Sequence, residues 1–445
     1  MSSGDLYAIG TSGLRAFRAQ MGAISENIAN AGSEGYNRRS VTIQESAVSG
    51  VVQPLYISRA DFGGAEVMGT VRANDPYLDA SARQTGMSLA GTNTRLRWLT
   101  DIETALSDDT LGVGGSLTTM FGAIDRLAAS PSDPALRTNM IYGVEQVVTA
   151  FHNSSNALNA TLQGAYSTAQ GSVTSVNDSL NALARINDSL LRSQPGTSTH
   201  AQLLDSRDVE ISKITQALNV SVSFDANQAA VLSYNGQNVL QGQTAGSFAV
   251  TQNANGTLAL ALNGTAITAP TDGSLGGLFI SAGVARQRLD SLDALAVQFA
   301  GDMNTWHAQG VTDAGAAGGA LVSVGTTAAS LALVISSGSQ IAAATSDGRL
   351  NGNLIDITSV RGAGSVEQGW TTLVTAHGSL LNTTKTEASA AQARDDNARA
   401  ARDKVSGVDL DAEAADLLRV QQAYQASAKV IQMAKQIVDT ILQLN

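Results

Sequence analysis

At 445 residues the chain is long enough for more than one core-forming domain, since single domains usually hold roughly 100 to 200 residues. Its hydrophobic content of 43% includes only 4% aromatic residues, so any core is assembled mainly from Ala, Val, Leu and Ile, which suit closely packed helices. The net charge of −11 repels phosphate backbones and anionic membranes and argues against nucleic acid or a membrane as partner. The absence of cysteine excludes disulfides, thiolate metal sites and thiol catalysis; it fits chance in a rare residue as well as a secreted protein that avoids exposed thiols.

Residues 1–22 carry Asp5, Arg15 and Arg18 among scattered apolar positions, with no continuous apolar run and no cleavage site of a Sec-type signal peptide. Tyr7, Leu14, Met21 and Ile28 form one seven-residue row, and Gly10, Phe17, Ile24 and Ala31 another, which together predict a helix with a narrow seam. Residues 96–129 and 135–192 read as two long helices broken by Ser130, Pro131, Asp133 and Pro134, a helical hairpin. A shorter helix over 203–218 follows. Val220, Val222 and Phe224 then alternate with Ser, and Asn235-Gly236, Asn255-Gly256 and Asn263-Gly264 punctuate short apolar runs, which predicts hairpins in a small β domain over 220–277. Helix returns over 287–309, gives way to a Gly-rich, strand-like region, and resumes at Trp370.

At the C-terminus Leu410, Leu417, Tyr424, Ile431 and Val438 form another seven-residue row, flanked by Ala414, Ala428 and Leu442. A helix over 410–444 would be about 52 Å long, too long and too narrowly striped to pack on its own domain alone. The polar positions are mostly Gln, Asp, Glu and Ser, unlike the Lys/Arg-rich face of a membrane-surface helix. An ordinary core helix is the competing reading; two heptad helices at opposite ends of one chain favour mutual pairing. The expected fold class is therefore mainly α with a β insertion: terminal heptad helices pairing as a coiled coil, a long helical hairpin domain and a small inserted β domain. The expected division is 1–60 with 386–445 for the terminal coiled-coil assembly domain, 61–218 with 286–385 for a helix-rich middle domain, and 219–285 for the insertion.

Chemistry-bearing constellations are scarce. His307 with Asp313 has no second ligand at metal spacing, and His152, His200 and His377 stand alone, outside any HExxH or HxH pattern, so a satisfied structural histidine is the expectation for each. Residues 112–115 and 362–364 are Gly-rich but continue into neither phosphate-binding pattern, and read as loops. GxSxG is absent. These observations give no catalytic, cofactor or metal residues and no support for an enzyme, although an active site in 320–369 or in the β insertion stays open as a rival.

The run Glu26-Asn27-Ile28-Ala29-Asn30-Ala31-Gly32-Ser33-Glu34-Gly35-Tyr36 can end a helix and set a defined turn, because Asn and Gly tolerate the left-handed conformation. It resembles the signature shared by flagellar rod, hook and hook-associated proteins, with Glu26 where a second Asn is common and Ser33 where Thr is frequent. The segments Val405-Ser406-Gly407-Val408-Asp409-Leu410-Asp411 and Gln421-Gln422-Ala423-Tyr424-Gln425-Ala426 are similar to the terminal segment of the same proteins. Two internal blocks, Leu203-Leu204-Asp205-Ser206-Arg207-Asp208 and the stretch of Asn304, His307, Gly310, Asp313, Gly315 and Gly318, resemble the type 1 hook-associated, or hook-filament junction, family rather than hook and rod proteins.

The resemblance implies a structural subunit of the bacterial flagellum that joins hook to filament, needs no cofactor, and assembles through its terminal helices. The implied interface residues are Leu14, Phe17, Met21, Ile24, Asn27, Ile28, Asn30, Gly35, Tyr36, Leu410, Leu417, Tyr424, Ile431, Val438 and Leu442. Implied partners are further copies in a ring or helical tube, the hook protein, a second junction protein and a flagellar export chaperone. The implied location is extracellular, reached by type III export without a cleaved signal. A hook or distal-rod subunit is the alternative within the same class.

Overall fold

The computed structural model describes residues 3–46 and 63–443. Helix α1 (Ser3–Asn30) leads into a two-stranded antiparallel ribbon, β1 (Arg39–Glu45) and β2 (Ala65–Arg72). Helices α2 (Pro76–Ala105), α3 (Val113–Ala129), α4 (Pro134–Arg192) and α5 (Ser198–Ala217) follow. A four-stranded sheet of β3 (Ser221–Phe224), β4 (Ala230–Tyr234), β5 (Gln237–Gln241) and β6 (Thr244–Ala245) precedes a three-stranded one of β7 (Phe248–Gln252), β8 (Leu258–Leu262) and β9 (Thr265–Ile267). Helix α6 (Gly273–Gln309) then leads to an irregular segment, and α8 (Val366–Ser406) and α9 (Leu410–Gln443) close the chain, after the single-turn α7 (Gly352–Ile355). The fold is mainly α with an inserted β portion, as expected.

The spine is α4, whose 59 residues extend to about 88 Å at 1.5 Å per residue. Asp133 caps it by accepting from Ala135 N and Leu136 N, with Pro134 in the first turn, where a missing N–H costs nothing. One continuous core links α2 to α6, α8 and both sheets of the insertion. Phe151 on α4 meets Phe299 on α6 with ring centroids 6.1 Å apart. Tyr234 meets Phe248 edge-on at 5.9 Å, which joins the two sheets. Two asparagines on α4 act as substitute peptide groups for strand edges. Asn187 donates to Ala230 O and Gly242 O and accepts from Ala230 N; Asn177 donates to Phe248 O and accepts from Phe248 N at 2.8 Å each.

Four sequence expectations need correction. The helix expected over 96–129 is two helices: α2, which begins twenty residues earlier than expected at Pro76, ends at Ala105, and Asp109 accepts from Leu111 N and Gly112 N in the turn that enters α3. Residues 113–115, expected in a loop, form the first turn of α3; a Cβ on Gly115 would lie 2.3 Å from Asp109 O, so the tight entry requires glycine. Helix α6 starts at Gly273 rather than 287, so the sheets of the insertion end at Ile267 and residue 285 lies within a helix. Its glycines let two helices touch: a Cβ on Gly277 would lie 2.5 Å from Gly91 O. The region expected to be strand-like before Trp370 holds only the two-residue strands β10 (Val322–Ser323) and β11 (Ala332–Leu333), and α8 resumes at Val366.

That irregular segment is organised by side chains at the end of α6. His307 donates from Nδ1 to Gly319 O and accepts Ala342 N–H at Nε2 (2.7 and 2.9 Å), which fixes the neutral tautomer. Asn304 accepts from Leu321 N and Val322 N and donates to Val322 O. Asp313 lies with Arg137 of α4, in a two-pronged ion pair at 2.6 and 2.9 Å, not with His307.

Asn187→Ala leaves the buried Ala230 amide without its partner and removes one from the Ala230 and Gly242 carbonyls, and should cost about 2–4 kcal/mol, read as faster amide exchange over β4 and β5 with helical circular dichroism retained. Burial pushes the His307 pKa below the usual histidine value. Unfolded chains bind a proton that the folded state refuses as pH falls below about 6.5, so stability is fully present above that pH and declines beneath it, by up to about 1.4 kcal/mol per unit for this residue. Urea midpoints measured through this window should fall toward acid, less steeply in His307→Gln.

Candidate functional site

The two chain ends run antiparallel. A Cβ on Gly10 would lie 2.5 Å from Ile431 Cγ1 and one on Gly13 3.0 Å from Ser427 Oγ, so small residues on α1 admit α9 to close range at one end. At the other end Asn27 Nδ2 donates to Glu413 Oε2 at 3.0 Å. The buried side of α1 carries Gly10, Ala16, Ala23, Ile24 and Asn27; that of α9 carries Glu413, Val420 and Ala434. None of these residues belongs to the main core.

The expected interface residues divide accordingly. Ile24 and Asn27 are buried in the pair, and Leu14, Phe17, Met21, Leu417, Tyr424 and Ile431 are half-buried along it. Ile28, Leu410 and Val438 are exposed, as are Tyr7, Leu418, Met433 and Ile437. The most buried positions of α9 are 413, 420 and 434, three beyond the expected row, whose Leu417, Tyr424 and Ile431 lie beside them in the pair, with Ile431 against Gly10. The Leu442 side chain lies outside the described residues.

Asn30, Gly35 and Tyr36 build the turn beyond α1. Asn30 Nδ2 donates to Glu26 O, and Ser33 N to Asn30 O, which closes the last helical turn. Gly35 has φ +75°, and a Cβ there would lie 2.1 Å from Val209 Cγ2 on α5, so both conformation and contact demand glycine. Tyr36 OH donates to Asn27 Oδ1 at 2.8 Å, and Arg39 N donates to the same oxygen. Burial pushes the Tyr36 pKa up to about 12, eased by Arg39 and reinforced by Glu26, Asp205 and Glu413, so its hydroxyl stays a donor. Asn27, fully buried, also donates to Arg39 O, and every polar atom of its amide is engaged.

Around this amide lies an ionic cluster joining three parts of the chain. Arg38 pairs with Glu413 at 2.6 Å, and Glu413 is 1% exposed. Arg39 reaches Glu26 at 2.7 Å and Asp205 of α5 at 3.2 Å; Arg72 of β2 reaches Asp205 at 3.0 Å and Asp208 at 2.6 Å. Burial works against the charge of Arg39, but its hydrogen bonds to Glu26 and Asp205 more than offset this and raise its pKa. Asn37 Nδ2 donates to Asp205 Oδ1, and Ser198 Oγ to Glu26. The ends of the chain are therefore tied to each other by Asn27 and Glu413, and to the helical body by Asp205 and Asp208. Sequence reasoning missed Arg38, Arg39, Arg72 and Glu413 as members; the signal was a pair of arginines directly after the motif and an acidic side chain on the helical seam.

Such an arrangement positions and binds; it does not present a nucleophile beside a base. Among the described residues no group of three or more His, Asp or Glu side chains could hold a metal ion, and no helix is long and apolar enough to cross a membrane. His152 donates to Leu331 O and His377 to Leu99 O, and His200 shares a hydrogen bond with Ser193 Oγ.

Residues 99–322, half the chain, match the model of the flagellar hook-associated protein FlgK helical domain, and residues 402–444 that of the flagellar basal body rod FlgEFG protein C-terminal region. The chain is 29% identical over 329 aligned positions to flagellar hook-associated protein 1 of Salmonella typhimurium, covering 71% of this chain and 58% of that one. It is 23% identical to the protein of the same name from Bacillus subtilis, covering 96% of each. A solved structure of the flagellar hook junction protein FlgK from Burkholderia pseudomallei shares the fold, with a TM-score of 0.50 at 22% identity over 56% of this chain and 47% of that one. With its helical body and its C-terminal helix each matched in this way, the chain belongs to the flagellar hook-associated protein FlgK family.

Proposed function

We propose that the protein is a structural subunit of the bacterial flagellum that joins hook to filament. The observation that carries this reading is the half-finished terminal pair: α1 and α9 bury a thin seam of small side chains and leave Tyr7, Ile28, Leu418, Met433 and Ile437 exposed, apolar surface that a ring or helical tube of further copies would cover. In this reading residues 1–60 and 386–445 act as the assembly domain, 61–218 and 273–385 as the helical middle domain, and the sheets over 221–267 as an outward-facing insertion. The hook protein and a second junction protein are the neighbours along the axis, and a flagellar export chaperone covers the ends before type III export. The protein performs no catalysis and works outside the cell.

A deletion strain should build hooks, lack attached filaments and lose flagellin to the medium; a strain without hooks would move the protein to the rod or hook, and normal filaments would refute the axial role. Asn27→Ala should reproduce the deletion phenotype while the melting transition of the middle domain moves by less than about 1 kcal/mol, since the seam lies apart from the main core. In dilute monomer the amides of α1 and α9 should exchange far faster than those of α4 and gain protection on assembly; equal protection in the monomer would count against assembly-coupled ordering.

A further inference from the structure

We propose that Asn235 is a site of spontaneous deamidation in the folded protein, selected by structure from three Asn-Gly dipeptides of the β insertion. In this chemistry the backbone nitrogen of the following glycine attacks the side-chain Cγ. A C–N bond forms, the C–N bond to the amide nitrogen breaks, and that nitrogen leaves as ammonia with the glycine's proton. Water then opens the cyclic imide at either carbonyl, giving aspartate or isoaspartate. No oxidant, metal or enzyme is needed. The requirements are a glycine next in sequence, freedom of the asparagine amide to rotate toward it, and room around the glycine nitrogen.

The three sites meet these requirements unequally, although all three asparagines are exposed. Asn235 and Asn263 occupy the same kind of two-residue turn. Tyr234 pairs with Gln237 across one and Leu262 with Thr265 across the other, and φ is 48° then 80° in the first and 51° then 80° in the second. Their glycines are equally open, with no atom within 4 Å of an added Cβ. They differ in tethering. Asn263 Oδ1 accepts Ser247 N–H at 2.8 Å and its backbone N–H donates to Ser247 O at 2.9 Å, which binds the turn to the strand before β7. The Asn235 side chain meets only the hydroxyl of its chain neighbour Tyr234, and among the described residues no backbone amide donates to it. Asn255 is held in another way: its Oδ1 accepts from Thr257 N and Thr257 Oγ1, and Gly256 rests on α4, where an added Cβ would lie 3.0 Å from Leu162 Cδ1.

Reaction at Asn235 replaces a neutral amide by a carboxylate at the tip of the β4–β5 hairpin. In the isoaspartyl product it also adds a methylene to the main chain of a two-residue turn, which disturbs the Tyr234–Gln237 pairing. A subunit that is not renewed would accumulate this change with age, away from the ionic cluster and the terminal seam.

The test is to incubate the full-length protein, folded and in parallel unfolded in urea, at mildly alkaline pH, and to follow conversion of amide to acid at each site by mass spectrometry. Chymotrypsin is the protease of choice, because no Lys or Arg lies between Lys213 and Arg286 and trypsin would leave all three sites in one peptide. In the folded protein Asn235 should react about tenfold faster than Asn263, the difference expected from releasing the Ser247 hydrogen bonds, and faster than Asn255. In urea the three rates should converge. Folded Asn263 or Asn255 reacting as fast as Asn235 would overturn the proposal, as would an Asn235 that reacts only when unfolded. So would an equal preference for Asn235 in urea, which would assign the selectivity to local sequence.

Discussion

The amide of Asn27 is the point on which the arrangement of the chain depends. It binds Tyr36 and the backbone of Arg39, which sets the turn after α1, and Glu413, which seats α9 against that turn, a residue 386 positions away in sequence. An amide offers two donors and two acceptor lone pairs, and this one spends them on the turn and on the distant helix together. Burying the carboxylate of Glu413 is favourable only because Arg38 and Asn27 both meet it, since an unpaired buried charge costs several kcal/mol. The constraint is directional. An apolar contact tolerates sliding and rotation; this one fixes the register of α1 against α9 and the exit angle of β1.

The same cluster carries that geometry into the helical body. Arg39 and Arg72 approach Asp205 from successive parts of the chain, the start of β1 and the end of β2, so both strands of the ribbon are anchored to α5. Gly35 against Val209 provides the close contact beside it. Little apolar surface is used at this joint, whereas the body itself is held by a continuous core with Trp306, Trp370, Phe151 and Phe299 fully buried. One chain thus contains two modes of cohesion: a core that makes the body stable by itself, and a polar joint that sets the direction in which the terminal helices leave it.

What could be read from the sequence follows the same division. Long periodic elements were legible: the hairpin turn before α4 announced itself through Pro131, Asp133 and Pro134, and the insertion through its Asn-Gly turns. Helix ends governed by glycine were not. Gly273, Gly276 and Gly277 fall within the expected β domain, yet they open α6, and the absence of a side chain at Gly277 lets it cross α2 at Gly91. Apolar spacing continued across the α2–α3 break and hid it, since the link is a side-chain turn by Asp109 rather than a change of pattern. In the candidate site the heptad rows identified the two helices and the apolar side chains beside their contact, but not the buried carboxylate on α9. Period counting gives apolar residues the interface and polar ones the solvent, whereas here Asn27 and Glu413 are inside and Leu410 and Val438 outside.

That inversion has a physical meaning for a protein whose ends meet in a narrow seam. Were Leu410, Leu418, Met433, Ile437 and Val438 covered within the pair, it would satisfy its own apolar surface and present a polar exterior. With Gly10, Gly13 and Ile24 of α1 and Val420 and Ala434 of α9 buried or close-packed and larger side chains at the margin, the seam is thin, and an isolated helix in water gains most of its stability from packing rather than from propensity. The polar contacts at Asn27 and Glu413 compensate in specificity rather than in strength: they define one register while leaving apolar side chains along both helices to be covered from outside. A pair built in this way is selective about its own geometry and incomplete without neighbours, the combination that growth by addition of identical subunits requires.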